Sequence, residues 1–310
     1  MLSRRFLLTR VVQALLALLG VATMVFFVAR LTGDPATVFL PMHATPEDHA
    51  RLREAWGLDQ PLYVQYVTFL GNAIRGDFGV SIVAPGRDAL QVVLVRLPAT
   101  LVLGIVALTW AVVLGVPLGI LSAVYRGGAI DSSARTSAAF GQAIPSFWVG
   151  IVLMWILAVE LGWLPASGRG DWRNLVLPAI ALGLYPFSAV VRLMRSSMIE
   201  VLNRPYLLLA ESKGLTRFRV ICMHAFKNAA AVPLTYFGII IGIVLTGSIA
   251  VETVFGWPGI GRLAITAVQA RDFATIQALT IVIAVVYLSV NLIVDVMYGV
   301  LDPRVQGKGG

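Results

Sequence analysis

Six stretches of this chain contain no Asp, Glu, Lys, Arg or His: Val11–Ala29, Leu97–Tyr125, Thr136–Val159, Asn174–Val191, Asn228–Val251 and Phe273–Val294. They are 18 to 29 residues long, and about 20 apolar residues carry a helix across a hydrocarbon core. Backbone groups inside lipid must be satisfied by helical bonding or by a closed barrel, and barrel strands alternate over only about 10 residues. The chain therefore reads as an all-α membrane protein of six transmembrane helices. Its charged fraction of 13% is half the roughly 25% of a soluble domain.

The net charge of +8 has to be read by position. Fourteen Lys and Arg fall on one side of a six-span zigzag, in the N-terminus and in the 126–135, 192–227 and 301–310 segments. The other ten are spread over the longer 30–96, 160–173 and 252–272 loops, where acids offset them. The positive-inside rule then puts both termini in the cytoplasm. The charge reads as topology and contact with anionic lipid, with no nucleic-acid surface. Cys222, the single cysteine, excludes a disulfide framework and reads as a small packed residue. The first window lacks an A-x-A cleavage site and reads as a retained helix.

Within residues 31–96, Thr45 is placed to cap a helix with Pro46 at its first position and Glu47 and Asp48 in its first turn. Gly57 is placed to stop it, and Pro61 to open a second short helix. The loop reads as a small helical cap rather than a catalytic domain. Gly115–Gly119 and Gly238–Gly242 are small-xxx-small pairs, which suit a dimer seam, a pore constriction or close packing within the chain. Pro178 and Pro186 interrupt the fourth window. Gly256, Pro258, Gly259 and Gly261 preclude a continuous helix after Glu252, leaving a re-entrant segment or a surface loop, with Phe255 and Trp257 suited to an interfacial aromatic belt.

No phosphate-cradling G-x-x-x-x-G-K-[ST], H-E-x-x-H or C-x-x-C occurs. His43, His49 and His224 are scattered, whereas a metal site needs three or four converging donors. No nucleophile–base pair lies in the windows, so neither a catalytic nor a metal site is expected. The windows also lack ionisable groups of the kind that coupled carriers place near the midplane. The chain offers a pathway with no evident energy source of its own.

Between the fourth and fifth windows runs "YLLLAESKGLTRFRVICMHAFKN" (Tyr206–Asn228). Asn203 is placed to cap a short helix with Pro205 in its first turn, and Gly214 to bend it. Beyond the glycine, Leu215, Phe218, Cys222 and Ala225 fall on one helical face with Ile221 beside them. Such a basic helix suits lipid headgroups or a partner's groove.

These residues resemble the cytoplasmic EAA loop of binding-protein-dependent ATP-binding-cassette importer permeases, and most closely the B-type permease of the dipeptide, oligopeptide and nickel group. The matching stretches are Ala210-Glu-Ser-Lys-Gly214-Leu215 and His224-Ala-Phe-Lys-Asn228. "RLTGDPA", "WGLDQPLYVQY", "RGDFGVS", "IPSFW", "GWLPASG", "VRLMRSSMIEVL", "VETVFGWPGIGR" and "NLIVDVMYGVLDPR" extend the match over nearly the whole chain. Two features depart from it: Leu208 and Leu209 stand where the motif has Glu and Ala, and Pro233 comes one place late.

The resemblance implies a type I importer permease fold, with helix 1 in residues 1–30, the cap in 31–96, a five-helix core in 97–300 holding the coupling loop 198–228, and a cytoplasmic tail in 301–310. It implies that Ala210, Glu211, Lys213, Gly214 and Leu215 dock on an ATPase subunit. The implied partners are a second permease, two ATP-binding-cassette subunits that hold ATP and Mg, an extracytoplasmic substrate-binding protein and the lipid of a bacterial inner membrane. No cofactor is expected in this chain itself. The implied cargo is di- or oligopeptide, glutathione-like peptides included, with nickel or a metal chelate as the alternative. A stand-alone secondary transporter is the reading of a different class.

Overall fold

A computed structural model describes residues 4–31 and 44–301. The segment "TGDPA", His43 and the tail with Arg304 and Lys308 lie outside the described residues, as does the side chain of Glu211. The helices are α1 (Arg4–Leu31), α2 (Pro46–Ala55), α3 (Leu62–Arg75), α4 (Ala89–Val124), α5 (Ala129–Ala143), α6 (Ser146–Leu153), α7 (Arg173–Leu202), α8 (Pro205–Ser212), α9 (Arg217–Arg219), α10 (Phe226–Ala229), α11 (Ala231–Val254), α12 (Ile260–Gln269) and α13 (Phe273–Leu301). Wide π turns follow α6 over Met154–Glu160 and α9 over Val220–Ala225. No strand occurs among the described residues beyond an isolated bridge between Val80 and Asp88.

The six windows are not all single rods. Four helices are long and apolar enough to cross a membrane, and the count reaches six only if two bent pairs each serve as one span. The third window is not one rod: α5 and α6 meet at 105°, because Pro145 forces Ile144 into an extended conformation (φ −96°, ψ 128°). The helices also overrun the windows that announced them. α4 starts at Ala89 and carries Arg96, and α5 carries Asp131.

The chain divides into two compact units. The first comprises residues 1–99 and 258–292. Its cap is built as the sequence indicates. Thr45 accepts from the Asp48 amide while Asp48 accepts from the Thr45 amide, a closed capping box. Gly57 (φ 63°) and Gly76 (φ 79°) end α2 and α3 in the left-handed region. The Tyr66 hydroxyl lies 2.6 Å from Thr23 Oγ1, and Arg30 Nε donates to Gln65 at 2.9 Å, fastening α3 to α1. Ala89, Val92 and Val93 pack with Ile260, Leu263, Ala278, Leu279 and Val282 into one apolar cluster.

A carboxylate completes this unit. Asp272, fully buried, accepts from the Ser81 hydroxyl (2.7 Å), the amides of Ile82 (2.8 Å) and Val83 (3.0 Å), and both the amide and hydroxyl of Thr275 (3.0 and 2.7 Å). It occupies the N-cap position of α13, where exposed amides and the helix dipole favour negative charge.

The second unit comprises residues 100–257 and 293–310. Its centre is α7, which contains both Pro178 and Pro186 and packs against α5, α6 and α11. Lipid supplies no hydrophobic drive between helices, so contact depends on close approach. The Gly115 and Gly119 pair therefore serves packing within the chain. A Cβ on Gly115 would lie 3.1 Å from Val190 Cγ1, and one on Gly119 would lie 2.8 Å from Met194 Cβ and 2.9 Å from the Val191 carbonyl. The Trp110 indole donates to the Ala179 carbonyl at 2.8 Å, beside Pro178, and stacks on Phe187.

Two aromatic expectations are overturned here. Phe255 and Trp257 are buried, each only 2% exposed, and so do not form an interfacial belt. Trp257 folds back through its amide onto the Glu252 carbonyl (2.8 Å), making a tight return rather than an exposed loop. Exposed tryptophans sit instead at Trp56, Trp148, Trp155, Trp163 and Trp172.

Candidate functional site

The segment between α7 and α11 folds as a bent element. Asn203 does not cap α8. It caps the C-terminus of α7, its side-chain amide donating to the Ile199 carbonyl (2.9 Å), because α7 runs on to Leu202. α8 then spans Pro205–Ser212 and stops at Gly214, whose φ of 85° suits glycine. The Leu215 amide reaches back to the Ala210 carbonyl at 3.3 Å, the six-to-one bond that closes such a stop. Ala210, Gly214 and Leu215 thus form one local device, with Lys213 exposed on its outer side. A Cβ on Gly214 would meet nothing within 4 Å, so the glycine is required by conformation and not by space.

The buried face beyond Gly214 differs from the expected one. Val220, Ala225 and Ala229 are buried, with Leu215, Ile221 and Phe226 partly so. Phe218 is 78% exposed, and Cys222 and Met223 are also exposed. The cause is the π turn, which spaces buried positions five apart between Val220 and Ala225 where a 3.6-residue period was assumed. Cys222 is therefore not packed. Pro233 is accommodated without strain: the chain turns at Ala230 and α11 begins at Ala231, so the proline falls in the first turn, where its missing N–H has no helical partner to lose.

The element is anchored from behind. Leu207, Val220, Ala225 and Ala229 join Ala123 of α4 and Met194 and Met198 of α7 in one core. Ser197 Oγ donates to the Ala229 carbonyl at 2.8 Å. The Asn228 side chain donates to the Tyr206 hydroxyl (3.0 Å) and the His224 carbonyl (2.9 Å), joining the two arms of the bend.

One turn of α7 away lies a site the sequence reading missed. Asp131 of α5, 1% exposed, receives Arg195 through two bonds, Nε at 2.6 Å and Nη2 at 3.0 Å. It also accepts from Ser122 (2.7 Å) at the end of α4 and from the Gly127 amide (2.9 Å). Three helices and a turn thus converge on one carboxylate. A second buried acid, Glu252 of α11, accepts from Thr100 at 2.5 Å. Charge-free windows, by construction, push such residues to their edges, and nothing in local spacing pairs Asp131 with Arg195.

Tyr206, Leu209, Phe218 and Met223 are the large apolar side chains that this bent, anchored element leaves exposed. Comparison gives the family. Residues 115–307 match the model described as "Binding-protein-dependent transport system inner membrane component", and residues 1–104 match the N-terminal model of the same system. The chain belongs to this family, and is a multi-pass, non-catalytic membrane permease subunit of an ATP-binding-cassette transporter.

It is 35% identical to the oligopeptide transport system permease protein AppB of Bacillus subtilis, over 97% of this chain and 99% of that one. It is 37% identical to the glutathione transport system permease protein GsiC of Escherichia coli K12, over 97% and 100%. The solved inward-facing MetNI methionine ABC transporter shares the fold, with a TM-score of 0.55 and 17% identity over 68% of this chain and 97% of that one.

Proposed function

We propose that this chain is one of two related permeases lining the path of an ATP-driven importer of small peptides, with residues 198–228 seated on an ATPase subunit. Both termini lie in the cytoplasm in this reading, and the cap of residues 31–96 faces a substrate-binding protein. The observation that carries the docking assignment is the construction of the bend. Residues 210–215 are set by a left-handed glycine and a backbone bond, and an apolar core of α4 and α7 residues packs behind them. Such an element presents its exposed side chains to a cleft and passes a push on it to α4 and α7. The peptide assignment is supported by relatives whose names specify oligopeptide and glutathione.

The test is Gly214→Val in the complete complex. The β-branched side chain disfavours φ of 85°, so the bend should straighten or shift. ATPase subunits should then co-purify poorly and ATP-driven uptake should be lost, with membrane insertion intact. Normal assembly together with normal uptake would sink the docking assignment.

A further inference from the structure

Resting on the importer and docking reading, we propose that the Asp131–Arg195 pair is the link through which movement of the bent element reaches α5. Both are then positioning residues for transport. The pair stands directly beside that element. Within one turn of α7, Met194 and Met198 pack in the core behind the bend and Ser197 holds the Ala229 carbonyl. Arg195, in the same turn, gives its two bonds to Asp131 of α5. α4 repeats the arrangement with adjacent residues: Ala123 joins the core behind the bend, and Ser122 donates to Asp131 at 2.7 Å. Both helices that receive a push from the element therefore also hold the α5 carboxylate. The Gly127 amide, in the turn that leads into α5, completes the grip at 2.9 Å.

What the pair adds to the contact between α5 and α7 is register. Ala134 and Ala138 of α5 pack on Val191 of α7, with Leu118 and Phe187 alongside. Small apolar side chains allow close approach, but their attraction has no direction, so such a seam can slide along its length. A guanidinium that gives parallel bonds to one carboxylate fixes separation and angle together. Stability alone does not account for it, because replacing a buried pair by apolar residues of similar size is often neutral. Setting register is the better attested use of such a pair. Arg135 lies 3.8 Å from the same carboxylate, but it belongs to α5 itself and is 59% exposed, so it adds charge and joins no second helix. α5 runs on to Ala143, where Ile144 and Pro145 lead into α6 at the 105° break. A movement of α7 handed to Asp131 thus displaces the start of the helix that ends at that break.

The experiment separates linkage from stability with a variant that strands no charge. Asp131→Asn together with Arg195→Met removes the bond between α5 and α7. The asparagine carbonyl can still accept from Gly127 and its NH₂ can donate to the Ser122 hydroxyl, so the turn keeps its partners. The complete importer is reconstituted in proteoliposomes with ATP and labelled trialanine, and peptide moved is divided by ATP hydrolysed. The double variant should melt with the wild type and retain its ATPase subunits, with peptide moved per ATP at least fivefold lower. A pair that served only structure would lower the melting temperature or leave that ratio alone. A ratio reduced less than fivefold, a lowered melting temperature, or loss of ATPase subunits overturns the proposal.

Spin labels on Ser133→Cys and Ser196→Cys, in a Cys222→Ser background, give a second reading at two exposed positions flanking the pair. With the pair intact, their separation should be the same in the nucleotide-free and ATP-bound complexes. In the double variant it should differ between those states. A change with the pair intact, or none without it, also overturns the proposal. Failure of the parent reading shows elsewhere. Wild-type vesicles that accumulate no trialanine or other peptide refute the importer assignment, and a Gly214→Val complex that assembles and transports normally refutes the docking. In either case the label separations still decide the link.

Discussion

Arg195 grips Asp131 across 64 positions of sequence, its guanidinium giving Nε to one carboxylate oxygen at 2.6 Å and Nη2 to the other at 3.0 Å. The acid is sealed off while the Arg195 side chain remains 22% exposed. Removing the cation from a buried pair leaves an uncompensated charge, at about 3–5 kcal/mol. Ser122 and Gly127 still solvate Asp131, so Arg195→Ala should cost about 3 kcal/mol, the low end of that range. Arg195→Lys keeps the charge but not the two-pronged geometry and should fall between wild type and alanine. Thermal unfolding of the detergent-purified chain, followed by tryptophan fluorescence, checks the order. Lysine no better than alanine would show that geometry outweighs charge.

Asp272→Ala would strand the amides of Ile82 and Val83 and the Ser81 hydroxyl. Orphaned buried donors cost about 1–3 kcal/mol each, so this substitution should destabilise the first unit more than most single changes. Asp272→Asn should be milder, because its Oδ1 can replace the oxygen that takes four of these bonds, leaving only the Thr275 amide to face its NH₂. Limited proteolysis within residues 77–88 reads the loss directly.

The glycines separate by what surrounds them. Gly119→Ala pushes a methyl into Met194 and the Val191 carbonyl, and overpacking of this kind costs about 1–3 kcal/mol. Gly71→Ala, in α3 with open space around it, should raise stability by about 0.5–1 kcal/mol through helix propensity. Opposite shifts in melting temperature are expected, and shifts of the same sign would contradict the seam.

Asp48 titrates below the usual carboxylate range because the Thr45 hydroxyl and amide both donate to it. A carboxyl whose folded value is depressed contributes stability fully above its unfolded value, near 3.9, and loses it as pH falls through the folded one. Protection against amide exchange in residues 46–56, taken relative to the intrinsic rate at each pH, should therefore fall below about pH 4, and Thr45→Val should flatten that dependence.

The spans, the cap helices and the stop at Gly214 were legible because each is written in a local pattern: apolar length, Thr45 followed three places on by Asp48, a glycine after an apolar turn. What escaped depends on distant partners or on a changed helical period. The pairing of Asp131 with Arg195 joins residues that no spacing relates. Phe218 and Cys222 were placed on the wrong face because a π turn cannot be distinguished from an α turn by composition. The broken third span was signalled by Pro145, yet its unbroken hydrophobicity outweighed that proline in a count of windows.

The Asp272 site also has a consequence for the order in which the protein can be made. Ser81, Ile82 and Val83 leave the ribosome about 190 residues ahead of the carboxylate they bind. Until α12 and α13 follow, these donors have no acceptor and the Ala89–Val93 apolar face has no cover. The first unit is thus begun by residues 1–99 and closed by residues 258–292. A product interrupted before residue 272 would leave those donors and that apolar face open, so a single acid reports that synthesis has reached α13.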